Sequence, residues 1–291
     1  MTPTHGRGRV SSLLALAFGL AAATVATAQS RPARHTKVSL VSETDAIQPG
    51  HPLRVGIRLE MEEGWHTYWR NPGDSGLPTR AKWDLPEGFA AGEIRWPYPT
   101  RFRTGPLVSY GYEREVLLPV EIRVRPATSA AAARLAVRVD WLECQDACLP
   151  GRADLSLELP VRAASAPGPH AGLFAEARRR LPTKDAGWSF AVATGPSALH
   201  LVVRTPRGTA LREAYFYPAT PRLLDHGKPQ PLTREGATHR LDLPRDPNGA
   251  PAERLAGVLV AETGSGTVAV EVDAPIATGP ARTSQIQERK P

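Results

Sequence analysis

Cysteine is scarce in this sequence: its 291 residues contain two, Cys144 and Cys148, four positions apart in the run WLECQDACLP. Two thiols do not supply the four ligands of a closed zinc site, so we predict no metal there. A chain of this length can also bury a sizeable core without one short cross-link. The size of the chain therefore favours a working role for this pair over a structural one.

Long hydrophobic runs and clusters of basic residues are also missing. After residue 28, no stretch approaches the roughly 20 apolar residues of a transmembrane helix, so we predict no membrane span in the mature chain. The formal net charge is +7, but the positive residues are scattered. Because a nucleic-acid-binding surface needs its basic residues on one face, we expect no nucleic-acid partner.

The first 28 residues have the three-part pattern of a secretory signal peptide. Residues 1–9 carry two arginines and no acidic residue, residues 11–26 are apolar with many small side chains, and Ala26-Thr27-Ala28 offers a cleavage site. The sequence therefore predicts export, and a bacterial periplasm is the simplest destination. In such an oxidising compartment the two cysteines can form a disulfide.

Helix-forming runs are scarce as well, whereas the chain has 29 prolines and 25 glycines. Between turn-forming clusters, apolar and polar residues alternate with a period of two, which predicts strands with one buried face. Strands at this spacing, with no helix between them, predict an antiparallel β-sandwich over residues 36–162. The clearest of these runs are residues 53–61, 118–124, 135–142 and 155–161.

A second region follows the first. Residues 163–184 are predicted to form a linker with one short helix over 170–181, ended by Pro182. Alternation resumes in residues 185–277, which predicts a second, smaller β-sandwich, and the polar residues 278–291 are predicted to be a disordered tail. The expected fold is thus all-β, with two antiparallel β-sandwich modules joined by a short helix and linker.

The cysteines lie where one predicted strand ends and the next begins. A strand ends at Glu143 and another begins near Asp154, so a tight connection would place Cys144 opposite Cys148. Cross-strand Cα separations of about 4.5–5.5 Å overlap the range that a disulfide tolerates, about 4.4–6.8 Å. A disulfide is therefore geometrically feasible, whereas Pro150 disfavours a helix that carries both cysteines.

Two roles stay open for such a disulfide. As a cross-link it would close a very short loop and add roughly 2–3 kcal/mol at best. As a redox pair it would accept attack by an incoming thiolate, because the neighbouring Glu143 and Asp146 raise the thiol pKa and weaken the pair as a nucleophile. The residues favour a redox-active pair, with a structural staple as the alternative.

Other candidate residues have simpler explanations. His66 and Met61 are too few to predict a copper site, since a single histidine and methionine on a strand are usually packing and surface residues. The aromatic residues Trp65, Tyr68 and Trp69 could line a partner groove beside the cysteines, but we predict that they pack the core of the sandwich. We predict no cofactor and no metal.

A resemblance to a known family rests on two segments. The first is the run from His66 to Glu121, which contains HTYWRNPGDSGLPTRAKW and RWPYPTRFRTGPLVSYGYEREV, and the second is WLECQDACLPG. Over about residues 38–162 the sequence resembles the N-terminal periplasmic domain of the thiol:disulfide interchange protein DsbD, particularly its ScsB-like (copper-sensitivity suppressor) branch. The region that follows resembles the second periplasmic module of that branch.

The resemblance implies immunoglobulin-like sandwiches and a set of site residues. In the family this domain takes reducing equivalents from a thioredoxin-like donor and passes them to disulfide-bearing periplasmic proteins. Carried over, Cys144 and Cys148 are the redox pair, with Cys148 forming the mixed disulfide and Cys144 resolving it. Phe102 is the best match to an aromatic side chain that caps the family's active site.

The function expected from the sequence is therefore periplasmic thiol-disulfide exchange, a protein-disulfide reductase relay through the Cys-x-x-x-Cys pair. We expect dependence on a separate thioredoxin-like electron donor, periplasmic or membrane-embedded, because the chain carries neither the membrane-spanning nor the thioredoxin-like domain that reduces the family's domain. The alternative is a non-catalytic interaction or scaffold module whose disulfide only pins a hairpin.

Overall fold

The computed structural model describes residues 1, 35–126, 128, 130–184, 187–206 and 209–277. Apart from Met1, the predicted signal peptide lies outside the described residues, and so does the predicted tail. The first ten strands are β1 Thr36–Ser42, β2 Leu53–Met61, β3 His66–Gly73, β4 Arg80–Asp84, β5 Phe89–Ile94, β6 Thr100–Thr104, β7 Leu107–Glu113, β8 Glu115–Val124, β9 Ala132–Cys144 and β10 Cys148–Pro160. They are followed by α1 Ala171–Arg180, β11 Ser189–Thr194, β12 Ala198–Arg204, β13 Leu211–Pro218, β14 Leu232–Glu235, β15 Thr238–Pro244, β16 Arg254–Thr263 and β17 Gly266–Ala277.

The first ten strands form two antiparallel sheets. Sheet I has the order β1-β2-β8-β5, and sheet II has the order β10-β9-β3-β7-β6, with β4 paired to β9. Apolar side chains of both sheets meet in one core cluster, which includes Val55, Ile57, Leu118, Tyr110 and Leu135. The predicted sandwich and the all-β fold class are confirmed.

Strand β2 shows why the period-two pattern succeeds. It spans the predicted residues 53–61, and its five alternating apolar side chains are all buried, while Arg54 between them is exposed. Strand β10 differs from prediction, because it begins at Cys148 rather than near Asp154. It lies at the edge of sheet II, where Pro150 can pair with Leu142 of β9 because its missing N–H would face away from the sheet.

The predicted helix is present as α1, one residue shorter at each end. It buries Phe174 and Ala177 against Val41 of β1 and Leu117 of β8. These two strands belong to sheet I, so the helix covers the outer face of that sheet. It ends before Pro182, as expected from the helix-breaking effect of proline.

The last seven strands form sheet III, with the order β13-β16-β17-β11-β12-β15-β14. Strands from both halves of this sheet contribute to one core cluster, which includes Leu201, Phe216, Leu241, Leu259 and Val272. Among the strands that the structure describes, β11 and β17 form the one parallel pair; the other pairs are antiparallel, as predicted. The parallel contact joins two antiparallel hairpins, β11–β12 and β16–β17, by their edges.

Sheet III packs against the sandwich. Tyr217, Val258 and Ala269 of sheet III belong to the core cluster of sheets I and II. The fully buried Asn71 of β3 donates from Nδ2 to the carbonyl oxygen of Pro218 at 2.8 Å. The division into modules 36–162 and 185–277 stays a prediction. The two parts share core residues and a buried hydrogen bond.

Candidate functional site

The two cysteines close the hairpin between β9 and β10. Cys144 is the last residue of β9 and Cys148 the first of β10, and they are cross-strand partners. They form a disulfide with a Cα–Cα distance of 4.2 Å. The predicted juxtaposition is therefore present, slightly closer than the expected cross-strand spacing.

The two sulfur-bearing residues differ in exposure. Cys144 is 2% exposed, whereas Cys148 is exposed to solvent together with Gln145, Asp146 and Ala147 of the turn. An external thiol can therefore approach the disulfide from the side of Cys148. Since attack on one sulfur of a disulfide expels the other, a thiol that attacked Cys148 would expel Cys144.

Tyr68 of β3 lies on the buried side of the disulfide. Its hydroxyl donates to Cys144 Sγ at 2.8 Å and lies 3.5 Å from Cys148 Sγ. Burial raises the pKa of Tyr68, although a hydrogen bond with Ser75 opposes this shift. The phenol is thus kept protonated, as a hydrogen-bond donor to sulfur.

The loop after β3 fixes the Tyr68 ring. Gly76 has φ +105°, and a Cβ built on it would lie 2.2 Å from Tyr68 Cε1. The backbone of this loop is held to β7, since Val108 N–H donates to Asp74 Oδ2 at 2.7 Å. The turn-forming run of residues 71–76 therefore packs over the aromatic ring that contacts the sulfurs.

His66 and Phe102 form an aromatic pair beside the disulfide. His66 of β3 is the bridge partner of Cys144, and its ring stacks on the Phe102 ring with centroids 4.6 Å apart. Phe102 lies on β6, in the β6–β7 hairpin at the edge of sheet II. Burial lowers the pKa of His66, although the negative charge of Glu113 opposes this shift, so the imidazole is neutral near pH 7.

Buried polar groups also support the hairpin from behind. Glu143 is 1% exposed; it accepts hydrogen bonds from Trp141 Nε1 and from the backbone N–H of His35, both at 3.3 Å. Across the turn, a Cβ on Gly64 (φ +81°) would lie 2.6 Å from Gln145 Nε2. The turn between the cysteines is therefore packed closely against the β2–β3 connection.

The structure places the sequence-predicted residues as follows. Cys144 and Cys148 are bonded to each other, and Phe102 stacks on His66, the neighbour of Cys144 in the sheet. Trp69 is fully buried in the core, as predicted. Tyr68 is buried too. The sequence analysis considered it for a groove beside the cysteines but preferred core packing, and it did not predict that the hydroxyl contacts both sulfurs.

Neither a metal-binding cluster nor a membrane-spanning helix is found among the described residues. Met61 Sδ accepts a hydrogen bond from the Thr67 hydroxyl at 3.8 Å. Within the described ranges, no three His, Cys, Asp or Glu side chains are grouped closely enough to hold a metal ion. No helix in that part of the chain has the length and apolar character needed to cross a membrane.

Comparisons with known proteins agree with this geometry. Residues 37–160 match the family described as thiol:disulfide interchange protein DsbD, N-terminal. The crystal structure of the N-terminal periplasmic domain of ScsB from Proteus mirabilis is similar in fold, with a TM-score of 0.61 and 20% sequence identity over 84% of this chain and 94% of that chain. No curated protein matches the sequence.

Two further solved structures illustrate weaker similarity. The major pilin subunit BcpA of Bacillus cereus aligns with 84% of this chain and 70% of its own, at 9% identity and a TM-score of 0.26. A protein from Porphyromonas gingivalis aligns with 82% of this chain and 99% of its own, at 10% identity and a TM-score of 0.25. These scores are too low to support any inference about this chain.

The family match covers the two sheets of the sandwich and the whole cysteine hairpin, and the resemblance expected from the sequence is confirmed there. Residues 37–160 of this chain are thus similar to DsbD N-terminal domains.

Proposed function

We propose that the chain carries out thiol-disulfide exchange through Cys144 and Cys148, relaying reducing equivalents between a thioredoxin-like donor and disulfide-bearing proteins. The observation that carries this proposal is the asymmetry of the disulfide. Cys148 is exposed at the start of β10, whereas Cys144 is buried and accepts a hydrogen bond from Tyr68. A disulfide that only pinned a hairpin would not need one accessible sulfur and one hydrogen-bonded leaving group.

The first step is attack by a donor thiolate on Cys148 Sγ. A bond forms between the donor sulfur and Cys148, the Cys144–Cys148 bond breaks, and its electron pair leaves with Cys144 as a thiolate. The Tyr68 hydroxyl, 2.8 Å from Cys144 Sγ, stabilises this charge, because hydrogen bonds to charged acceptors are stronger than those to neutral ones.

The second step releases the donor. Its second thiolate attacks the donor sulfur of the mixed disulfide, which forms the donor's own disulfide and expels Cys148 as a thiolate. After two protons are taken up, the pair is reduced and the donor is oxidised by two electrons. The reduced Cys148 then attacks a client disulfide, and Cys144 resolves the resulting mixed disulfide.

We place this reaction in the periplasm. The predicted signal peptide supports export, and the protein from Proteus mirabilis with a similar fold is described as a periplasmic domain. The sandwich of residues 36–162 would act as the redox module. Residues 185–277 would form a second module, which contacts the first through the residues described above.

Phe102 is proposed as the cap of the site. Its ring lies on His66, next to Cys144 in the sheet, and it is carried by a hairpin at the sheet edge. Outward movement of this hairpin would widen access to the disulfide for a bulky partner protein. The function of the cap would be to slow exchange with unselected thiols.

Trapping of mixed disulfides tests the assigned roles. In a Cys144→Ser variant, Cys148 has no resolving thiol, so we expect it to accumulate a covalent complex with a thioredoxin-like protein on non-reducing gels. The Cys148→Ser variant is the matched control, and we expect little complex because Cys144 is buried. If only the Cys148→Ser variant formed complexes, the roles would be reversed.

The reduction potential separates exchange from a structural staple. Structural disulfides typically have potentials below about −300 mV, and exchange-competent ones have higher values. We expect equilibration of the wild-type protein with a thiol redox buffer to give a value above that limit. A value below it would favour the scaffold alternative.

A further inference from the structure

The β6–β7 hairpin, which carries Phe102, has different neighbours on its two faces. Successive residues of a strand point to opposite faces, so Phe102 points one way and the flanking Arg101 and Arg103 point the other. On the Phe102 face, the ring stacks on His66 beside the disulfide. The arginine face is directed at sheet III.

The contacts on the arginine face are specific. The Arg101 guanidinium lies over the Tyr215 ring, 4.1 Å from its centroid. Arg103 Nη2 donates to the carbonyl oxygen of Gly227 at 3.3 Å. Both acceptors belong to the sheet III region, Tyr215 on β13 and Gly227 in the connection between β13 and β14.

Strand β7 contributes to the same contact. Tyr110 is the cross-strand partner of Arg101 and therefore shares its face of the hairpin. Its hydroxyl lies 3.0 Å from the Tyr215 hydroxyl and 2.8 Å from His226 Nδ1. Strand β7 of the hairpin is thus fixed to sheet III through Tyr110, while Arg101 and Arg103 hold strand β6.

The sheet III side of the contact is itself well supported. Gly227 is positioned by a hydrogen bond from its N–H to Asp225 Oδ1 at 3.1 Å. The neighbouring Gln230 side chain accepts from the Phe216 N–H at 2.8 Å and donates to the Phe216 carbonyl at 3.0 Å. The groups that Arg101 and Arg103 contact are therefore fixed by their own surroundings.

We propose that sheet III clamps the cap hairpin through Arg101 and Arg103, and so limits how closely a bulky partner protein can approach the disulfide. The proposal rests on the proposed exchange function and gives the second module a role in it. The two arginines are positioning residues, since they act on the disulfide only through Phe102 and the hairpin. Release of the clamp would raise the population of the open hairpin without changing the disulfide itself.

The test uses the full chain with Arg101→Ala and Arg103→Ala combined. The measurement is the second-order rate constant for reduction of the disulfide by dithiothreitol and by a thioredoxin. We expect the rate with thioredoxin to rise by about three- to tenfold, because loss of a cation–π contact and a hydrogen bond frees the hairpin. The rate with dithiothreitol, which reaches the exposed Cys148 directly, should change little. The equilibrium reduction potential should be unchanged, because the hairpin opens in both redox states.

The chain offers a matched control for charge and spacing. Arg123 and Arg125 are two exposed arginines with the same spacing, at the end of β8 in sheet I. The Arg123→Ala, Arg125→Ala double variant should keep wild-type rates. From the other side of the contact, Tyr215→Leu should raise the rate with thioredoxin, because it removes the ring that Arg101 covers.

A comparison with Phe102→Ala shows whether the clamp acts through the cap. Phe102→Ala should accelerate reduction by thioredoxin, and adding the two arginine substitutions to it should give little further increase.

Wild-type rates in the arginine double variant, together with faster reduction of Phe102→Ala, would contradict the role of the arginines but not the role of Phe102 as a cap. Slower reduction of the double variant would also overturn it, since the arginines would then attract the reductant. Failure of every variant, wild type included, to exchange with either thiol would instead contradict the proposed function.

Discussion

At the scale of single residues, one hydroxyl group distinguishes the two sulfurs of the disulfide. Tyr68 lies 2.8 Å from Cys144 Sγ but 3.5 Å from Cys148 Sγ. In the proposed exchange, a thiolate attacks Cys148 and negative charge develops on Cys144, the sulfur with the shorter hydrogen bond. A hydrogen-bond donor that points to the atom on which charge develops lowers the barrier of the reaction.

Replacement of Tyr68 by Phe removes the hydroxyl that donates this hydrogen bond and keeps the aromatic ring. Hydrogen bonds to charged groups contribute about 1.5–3 kcal/mol, so we expect the rate of reduction by dithiothreitol to fall about tenfold or more. The measurement is the second-order rate constant at pH 7. The matched control is Tyr112→Phe, which removes another buried hydroxyl, the one that donates to the Pro97 carbonyl at 2.7 Å. We expect both variants to lose stability, because each loses a buried hydrogen bond, but only Tyr68→Phe should slow reduction. Equal rates in the two would contradict the role of the hydroxyl.

The pairing of the cysteines was predictable from the sequence, but the contact of Tyr68 with their sulfurs was not. Cys144 and Cys148 are the two cysteines in the chain, and the end of a strand beside them predicted their pairing. A period-two pattern indicates that a tyrosine is buried, but not which atom its hydroxyl contacts. That contact depends on the bridge between His66 and Cys144, a pairing of two distant segments that no local pattern specifies.

At the scale of elements, the cysteine hairpin depends on one glycine. Gly151 of β10 is the cross-strand partner of Trp141, and a Cβ on it would lie 2.3 Å from Trp141 Cε2. The indole lies across the strand at this position and donates to Glu143, next to Cys144. Gly151 therefore leaves space for the ring that supports the hairpin.

We expect Gly151→Ala to lower the free energy of unfolding by about 1–3 kcal/mol, because the new methyl group forces Trp141 out of its position. Urea denaturation followed by tryptophan fluorescence measures the change. Gly264→Ala is the control, since nothing lies within 4 Å of a Cβ at that position. If the two variants were equally stable, Trp141 would be free to shift without cost.

Elements with regular alternation were predictable, and those without it were not. Strands β2 and β9 bury every second side chain along most of their length, and helix α1 was expected from its composition and the proline after it. Strand β6 was missed because Phe102 is its one partly buried residue. Its position is fixed by pairing with β7 and by sheet III, which are tertiary contacts.

The start of β10 was predicted too far along the chain, because a proline within a strand is tolerated only at a sheet edge. The sequence does not show which strand lies at an edge.

At the scale of the whole molecule, the contact between the sandwich and sheet III contains a buried titratable group. His226 is 5% exposed, and its Nδ1 lies 2.8 Å from the Tyr110 hydroxyl. Burial lowers its pKa, although the negative charges of Asp74, Asp225 and Asp246 oppose the shift. His66 beside the disulfide and His239 in sheet III also have lowered pKa values, in both cases mainly because of burial.

These three histidines predict a loss of stability in mild acid. Each has a folded-state pKa below its ordinary value of about 6.5, so below that pH the unfolded chain binds protons that the folded chain does not. The free energy of unfolding therefore falls as the pH decreases from about 6.5, by at most about 1.4 kcal/mol per pH unit for each proton taken up. Above that pH all three histidines are neutral in both states, so they do not make the free energy of unfolding depend on pH.

Urea denaturation at pH 7.5, 6.5 and 5.5 measures the effect. His226→Gln should make the free energy of unfolding depend less steeply on pH, whereas His51→Gln, at an exposed position, should leave this dependence unchanged. An equal pH dependence in both variants and the wild type would show that His226 titrates alike in the folded and unfolded chains.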